Sequence, residues 1–308
     1  MRFQTTLKNT VRMTGIGLHS GRDVHLAIKP GRPNQGIRFI RTDLSEVLPI
    51  PGHYKNVVNT QMATTLGRGK AAISTVEHLM AALYGANIDN ATVEVDAPEI
   101  PIMDGSALPF FKAIVHAGIE IQNAKKPVLV LRRKVEVKMN EKWAVAEPSA
   151  RLEIHGSIDW DHPSIGYQEY HYIGGKTSFE SLSVARTFGF LRDVEALKKM
   201  GLAQGGSLDN AVVLDDAVVL NPQGLRCPDE FVKHKVLDAL GDLKLAGIEL
   251  QAYFRLHRAG HDLHSQILNA IFSDPDNYEI IEGNHQESKS ASMCVQAALA
   301  GALAASVT

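Results

Sequence analysis

Two apolar helical segments, far apart in the chain, carry side chains that a buried helix does not normally tolerate. They are residues 74–83 (STVEHLMAAL) and 233–242 (KHKVLDALGD). Apolar residues recur through both segments at helical spacing, which predicts two packed helices. Acids and histidines on such helices must be paired or metal-bound. We therefore expect the fold to bring the two segments together.

The residue types on these helices are those of a catalytic metal site. His234 and Asp238 are spaced i, i+4 and share one helix face, which Asp242 extends by a further turn. An i, i+4 pair alone also fits a solvated helix contact. With His78 from the other helix, however, the set has two imidazoles and one carboxylate, which leaves a zinc position open for water. The neighbouring Glu77 could take a proton from that water, so the pattern indicates a hydrolase.

A second histidine group, formed by His257, His261 and His264, is spaced i, i+4, i+7. Gly260 interrupts it and His257 ends a predicted strand, so one helix face is not expected to hold all three. We expect His261, at the start of the last helix, to act as a single catalytic histidine. A helix N-terminus lowers the pKa of a histidine, so an acid is needed to keep it protonated, and Asp242 is the candidate.

Composition excludes several classes of protein. The chain has 308 residues, 44% of them hydrophobic, which suits a globular protein of two domains. Its net charge of -2 gives no basic field for nucleic acid. Two cysteines without metal or disulfide spacing, Cys227 and Cys294, fit a reducing compartment. The N-terminus lacks the apolar stretch of a signal peptide, and the apolar run at 295–307 is shorter than the roughly 20 residues of a membrane span.

Both halves of the chain are predicted to run strands, helix, strand, helix, which gives an α+β fold and suggests an internal duplication. We place the domains at 1–125 and 126–285, divided at a polar break (residues 123–127), and expect 286–308 to form a packed helix or a frayed end. Strands are predicted at 5–13, 24–29, 37–41, 91–95, 128–131, 135–139, 143–146, 152–158, 168–172 and 252–256, and helices at 74–84, 108–117, 178–185, 234–245 and 261–272.

Three local features carry further predictions. Ser74 and Glu77 form the pattern of a capping box, so Ser74 is predicted to cap the first helix. Residues 14–21 (TGIGLHSG) lack the lysine of a phosphate loop and are predicted to be a hairpin turn. Residues 192–221 form an insertion with a helix and two short strands, arranged as a βαβ unit or a hairpin, of the kind that shapes a substrate site.

Taken in order, these motifs resemble those of the zinc-dependent UDP-3-O-acyl-N-acetylglucosamine deacetylases of lipid A synthesis in Gram-negative bacteria. The resemblance extends to about residue 285 and implies two domains of similar topology, with helices sandwiched between sheets and a small insertion in each domain. The motifs are TGIGLHSG (14–21), STVEHLMAAL (74–83), PIMDGS (101–106), ARTFGF (185–190), HKVLDALGD (234–242) and Gly260-His261.

The resemblance also implies a role for each site residue. In this chain the zinc ligands are then His78, His234 and Asp238, the general base is Glu77, the acid that protonates the leaving amine is His261, and its orienting partner is Asp242. Thr187 is expected to stabilise the oxyanion. Lys235, which could otherwise be a surface lysine, is expected to contact the substrate phosphates, Phe188 to line the sugar site, and Trp160 to face the uracil ring.

The implied reaction removes the 2-acetyl group of UDP-3-O-(3-hydroxyacyl)-N-acetylglucosamine. A zinc amidase for another substrate and a protein with a structural metal are the alternatives, but structural zinc is usually closed by four protein ligands, mostly Cys and His, and neither cysteine lies in a motif. One Zn²⁺ per chain is expected, although two histidines and a carboxylate also suit Fe²⁺. We further expect a cytoplasmic monomer, loosely associated with the inner membrane through its lipid substrate, with no transmembrane segment and no nucleic-acid partner.

Overall fold

The computed structural model describes residues 2–46 and 48–282. The helix or frayed end predicted for 286–308 therefore lies outside the described residues. The elements of the first half, in chain order, are β1 (Phe3–Leu7), β2 (Val11–Ile16), β3 (Asp23–Pro30), β4 (Ile37–Arg41), β5 (Ile50–Pro51), β6 (Val57–Asn59), β7 (Thr65–Arg68), β8 (Ala71–Ile73), α1 (Glu77–Gly85), β9 (Ala91–Val95), α2 (Leu108–Ala117) and β10 (Ile119–Lys125).

Between residues 127 and 282 the second half has longer strands and four further helices. Its elements are β11 (Pro127–Leu131), β12 (Val135–Met139), β13 (Lys142–Pro148), β14 (Glu153–Trp160), β15 (Gly166–Ile173), α3 (Phe179–Ser183), β16 (Phe188–Phe190), α4 (Leu191–Lys199), β17 (Val212–Leu214), α5 (Glu230–Lys244), β18 (Glu249–His257), α6 (His261–Ser273) and β19 (Tyr278–Glu282).

The main sheets of the two halves repeat one pattern of strand pairing. In the first, β2 and β3 form an antiparallel hairpin, β9 lies antiparallel to β3, and β4 lies parallel to β9. In the second, β12 and β13 form the hairpin, β18 lies antiparallel to β13, and β14 lies parallel to β18. A helix comes before the strand that joins each hairpin to its parallel neighbour, and another helix follows it. The predicted α+β fold with two halves of similar topology is confirmed.

The helices lie between the two main sheets. Helix α1 packs directly on α5, while α2 packs on β2, α5 on β14, and α6 on β12 and β13. Seven residues of α1 are buried, from Glu77 to Leu83, so this helix lies inside the molecule on nearly every side. The two helices are in close backbone contact at Gly241, where a Cβ would lie 2.0 Å from the backbone oxygen of Glu77. Glycine is required there because any side chain would push α1 away from α5.

Several predicted elements differ from those observed. The single strand predicted at 5–13 is two strands, because β1 pairs with β10 whereas β2 pairs with β3. The polar break at 123–127 contains the end of β10, which is followed by β11 after one residue. Ser74 does not cap α1, since the helix begins at Glu77 and the Ser74 hydroxyl accepts a hydrogen bond from Thr65.

The insertion at 192–221 completes a βαβ unit whose first strand, β16, lies just before it. Strands β16 and β17 pair in parallel and are joined by α4, which confirms the predicted helix and one of the two predicted strands. The second predicted strand is wrong, because beyond β17 the chain makes one bridge, between Leu214 and Val219. The turn predicted at 14–21 is confirmed in its second half, since β2 continues to Ile16 before the chain reverses.

Candidate active site

Three buried side chains from α1 and α5 converge where the helices cross. The Oδ1 atom of Asp238 lies 3.4 Å from Nε2 of His78 and 3.3 Å from Nε2 of His234. Donors bound to zinc at about 2.0 Å in tetrahedral geometry lie roughly 3.3 Å apart, so this spacing fits a metal ion. This oxygen is buried and makes no hydrogen bond within the described part of the chain. The group therefore fits a metal, which would supply the missing interaction of the carboxylate.

Other contacts orient these three side chains. The His234 ring faces the backbone oxygen of Ala185 through Nδ1, at 3.2 Å, which leaves Nε2 directed at Asp238. Burial lowers the pKa of His234 to about 3, so its ring is neutral and has a free lone pair. The second oxygen of Asp238 accepts a hydrogen bond from Lys235 at 3.0 Å. Although burial opposes ionisation of Asp238, the positive charge of Lys235 helps to hold its pKa well below its usual range.

Glu77 lies at the first position of α1, directly before His78. Its Oε2 atom accepts the backbone N–H of Thr64 at 3.1 Å, and its Oε1 atom lies 3.9 Å from Nε2 of His261. Burial raises the pKa of Glu77 to about 7, although His261 and His78 oppose the shift. A carboxylate with a pKa near neutrality can both take and return a proton, as a general base must.

His261 begins α6 and is paired with an acid from α5. Its Nδ1 lies 2.7 Å from Oδ2 of Asp242, so the predicted pair is formed. Burial alone would lower the pKa of His261, but Asp242 and Glu77 outweigh it and raise the pKa to about 10. Burial opposes the ionisation of Asp242 as well, yet His261 lowers its pKa to about 2. The pair is thus a buried imidazolium and carboxylate, whose imidazolium can donate a proton.

Sequence reasoning gave no role to three polar groups beside this pair. The Thr64 hydroxyl donates to Oδ1 of Asp242 at 2.6 Å, and His264 lies 2.8 Å from Oδ2 through Nδ1. His19, in the turn between β2 and β3, has its pKa lowered by burial and then by the charge of His261, against the effect of Glu99. For His264 the spacing of one helical turn from His261 was a usable signal, whereas Thr64 lies in a loop with no pattern.

The predicted substrate residues form an aromatic cluster beside the metal group. The Phe188 ring centroid lies 6.2 Å from that of His234, and Nζ of Lys235 lies 5.5 Å from the Phe188 centroid. Trp160 packs edge-on against Phe188 at 5.5 Å. Phe188, Trp160 and Lys235 are therefore brought together, all of them partly exposed. Lys235 also holds a metal-group carboxylate, a contact that the sequence did not predict.

Thr187 lies next to this cluster, at the point where the chain enters β16. Its backbone N–H donates to the oxygen of Gly105 at 2.8 Å, and its own oxygen accepts the N–H of Val212 at 2.8 Å. The preceding residue, Arg186, forms a buried ion pair with Glu230 at the start of α5. These contacts fix the backbone of Thr187, but within the described part of the chain no hydrogen bond joins its hydroxyl to the metal group.

Comparison with known proteins identifies the family. A model of the UDP-3-O-acyl N-acetylglycosamine deacetylases matches residues 4–273. The chain belongs to this family. It is 48% identical over 285 residues to a UDP-3-O-acyl-N-acetylglucosamine deacetylase of Myxococcus xanthus, with 92% of this chain and 91% of the relative covered. Deacetylases of the same name from Haemophilus influenzae and Helicobacter pylori are each 44% identical, with 92% and 90% of this chain covered and 94% of each relative.

The family assignment covers the parts of the chain that build the candidate site. The matched residues contain α1, α5 and α6, and therefore every residue of the metal group and the His261–Asp242 pair. Within residues 2–46 and 48–282, no helix has the length and apolar character needed to cross a bilayer.

Proposed function

We propose that this protein hydrolyses the 2-acetamido group of UDP-3-O-(3-hydroxyacyl)-N-acetylglucosamine, releasing acetate and a free 2-amino sugar nucleotide. This is the committed step of lipid A biosynthesis. The observation that carries the proposal is the pairing of a buried carboxylate, Glu77, with a buried imidazolium, His261, beside a group that fits a metal. The names of the relatives, each matched over nine tenths of the chain, supply the substrate.

We propose Zn²⁺ as the metal, one per chain, held by His78, His234 and Asp238. Bound there, zinc polarises a carbonyl and lowers the pKa of a coordinated water. The two imidazoles and the carboxylate also suit Fe²⁺, so the metal content of protein purified without added metal distinguishes the two.

Glu77 and His261 divide the proton transfers between them. Glu77 takes a proton from the attacking water, for which a pKa of about 7 is well matched. His261, protonated at neutral pH, donates a proton to the departing amine. Asp242 holds the imidazolium at 2.7 Å and keeps its Nε2 edge directed to the site. The Thr187 hydroxyl is assigned to the oxyanion that develops on the amide carbonyl.

The substrate is assigned to the partly exposed cluster beside the metal group. Lys235 supplies a point charge for the phosphates, Phe188 a face for the sugar, and Trp160 a ring that stacks on uracil. The insertion at 192–221 is assigned to the acyl chain, because Met200, Leu208 and Val218 expose apolar side chains there. We propose a cytoplasmic monomer with domains at 1–125 and 126–285, loosely associated with the inner membrane through this lipid.

The test is release of acetate from UDP-3-O-acyl-N-acetylglucosamine by the purified protein, before and after chelation and again after zinc is restored. We expect activity that is lost with the metal and returns with it. A folded, zinc-loaded protein that releases no acetate from this substrate would contradict the proposal. Activity on another acylated amino sugar in the same assay would then favour the alternative amidase.

A further inference from the structure

His264 shares its carboxylate partner with His261. It lies one turn further along α6, is 1% exposed, and places its Nδ1 2.8 Å from Oδ2 of Asp242, the same atom that His261 approaches at 2.7 Å. The other oxygen of Asp242 accepts the Thr64 hydroxyl at 2.6 Å. One buried carboxylate thus accepts three hydrogen bonds, from a loop, from the start of α6 and from its second turn.

The distances indicate a hydrogen-bonded cluster. Contacts of 2.7 and 2.8 Å are those of N–H groups that donate to an ionised oxygen. They are shorter than the roughly 3.3 Å between ligands around a zinc ion. The rings of His261 and His264 are almost perpendicular, at 87°, with centroids 6.1 Å apart. Each histidine therefore approaches Oδ2 from a different direction, and neither blocks the other.

We propose that His264 is a positioning residue for His261, which it serves by fixing the Asp242 carboxylate. This proposal rests on the proposed function, in which His261 is the acid. An aspartate with a single histidine partner can rotate and carry that histidine with it. In this protein Thr64 donates to Oδ1 of Asp242, while His261 and His264 both donate to Oδ2. Together these donors restrict the carboxylate to a single orientation. His261 is then held with Nε2 3.9 Å from Glu77, on the side of the metal group.

His264 also weakens the attraction between the Asp242 carboxylate and the proton of the His261 imidazolium. A donor to a carboxylate withdraws charge from it, so loss of that donor makes the carboxylate a stronger partner for the remaining imidazolium. The His261 proton would then be released less readily. Other groups face His261 and stay unchanged when His264 alone is replaced; they are Asp242 and Asp238 on α5, Glu77 on α1 and His19 in the β2–β3 turn.

The test compares His264→Asn with His264→Leu. The asparagine amide nitrogen stands where Nδ1 of the imidazole stands, so this variant keeps the donor, whereas leucine has a similar shape without one. We expect His264→Leu to lower kcat about tenfold with little change in KM. In the pH profile of kcat, we also expect the fall at alkaline pH to occur roughly one pH unit higher in this variant. His264→Asn should stay within about twofold of the unchanged protein.

Two results would overturn the proposal. One is a His264→Leu variant that melts at lower temperature yet keeps its kcat and its alkaline limb, which is the behaviour of a merely structural residue. The other is a His264→Asn variant as impaired as His264→Leu. An NMR titration of the His261 ring in the three proteins gives the same comparison without activity. If the unchanged protein releases no acetate, the proposed function fails, and the titration still decides whether His264 acts on His261.

Discussion

Helix α1 in the first half and helix α5 in the second occupy matching places, yet they contribute different chemistry. Each follows a β-hairpin and comes before the strand that joins that hairpin to its parallel neighbour. Helix α1 has nine residues and carries Glu77 and His78 in its first turn. Helix α5 has fifteen, and its longer face carries His234, Asp238 and Asp242 over successive turns.

The helices that follow differ in the same way. Helix α2 begins with Leu108 and buries apolar residues, whereas α6 begins with His261 and directs it at Asp242. A repeated fold therefore supplies two equivalent helix pairs. We propose that one pair provides the acid, its partner and two metal ligands, and the other the base and one ligand. The site depends on the contact between the halves. The variants below test what each half contributes and how the two halves are held together.

The largest effect is expected within the first half, where a base and a ligand are neighbours. Glu77→Gln should lower kcat by about 10²- to 10⁴-fold, because it removes the general base while keeping the side-chain volume. The metal content of Glu77→Gln should stay at that of the unchanged protein, and that of the control, His78→Ala, should fall. Both are checked by elemental analysis beside the acetate assay. Loss of metal from Glu77→Gln would make Glu77 a ligand and contradict the assignment.

The contact between the halves should be broken by Gly241→Ala. The added Cβ would lie 2.0 Å from the backbone oxygen of Glu77, so the helices must separate. We expect a loss of about 3 kcal/mol in the free energy of unfolding, the upper end for an overpacked core, measured by urea denaturation. Gly189→Ala is the matched control, since nothing lies within 4 Å of its added Cβ. Equal stability of the two variants would contradict this account of the crossing.

The acid of the second half should respond to pH. In the proposed mechanism His261, with its pKa raised to about 10, must be protonated and Glu77, with its pKa raised to about 7, must be ionised. Activity should therefore be highest between these two values and fall as pH rises through the pKa of His261. Asp242→Asn removes the charge that raises this pKa, and the alkaline limb of kcat should move to lower pH by about 1–3 units. A limb that stays in place would show that another group controls it.

A smaller effect is expected at the loop of the first half that contains Thr64 and contacts the second half. Thr64 lies in the first half and donates to Asp242 in the second, so Thr64→Val should lower kcat about tenfold by freeing one carboxylate oxygen. Thr65→Val is the control, because its hydroxyl donates to Ser74 within the first half. Comparable kcat values for the two variants would mean that the Thr64 contact has no part in holding the acid.

Periodicity and spacing predicted the features that lie on single helices. The i, i+4 pair of His234 and Asp238, the position of His261 at the start of α6 and the strand–helix order of both halves follow from local sequence. The family resemblance added roles that spacing does not give. Contacts that depend on the tertiary fold were missed, such as those of the Thr64 hydroxyl and the His264 ring with Asp242.

The local elements that were predicted wrongly or not predicted also depend on tertiary contacts. Ser74 has the sequence of a helix cap, but its backbone N–H is used by the oxygen of Pro98 and its hydroxyl by Thr65, so α1 starts three residues later. Strands β6, β7 and β8 have three or four residues each, too few to show alternation, and they form because they pair with one another.

We propose that the two halves jointly hold one metal ion, and the metal content of purified single variants tests this directly. His78→Ala removes a donor from the first half and His234→Ala a donor from the second. We expect one zinc per chain in the unchanged protein and a large loss of zinc in each variant, with folding retained. Full zinc content in either variant would contradict a site shared between the two helices.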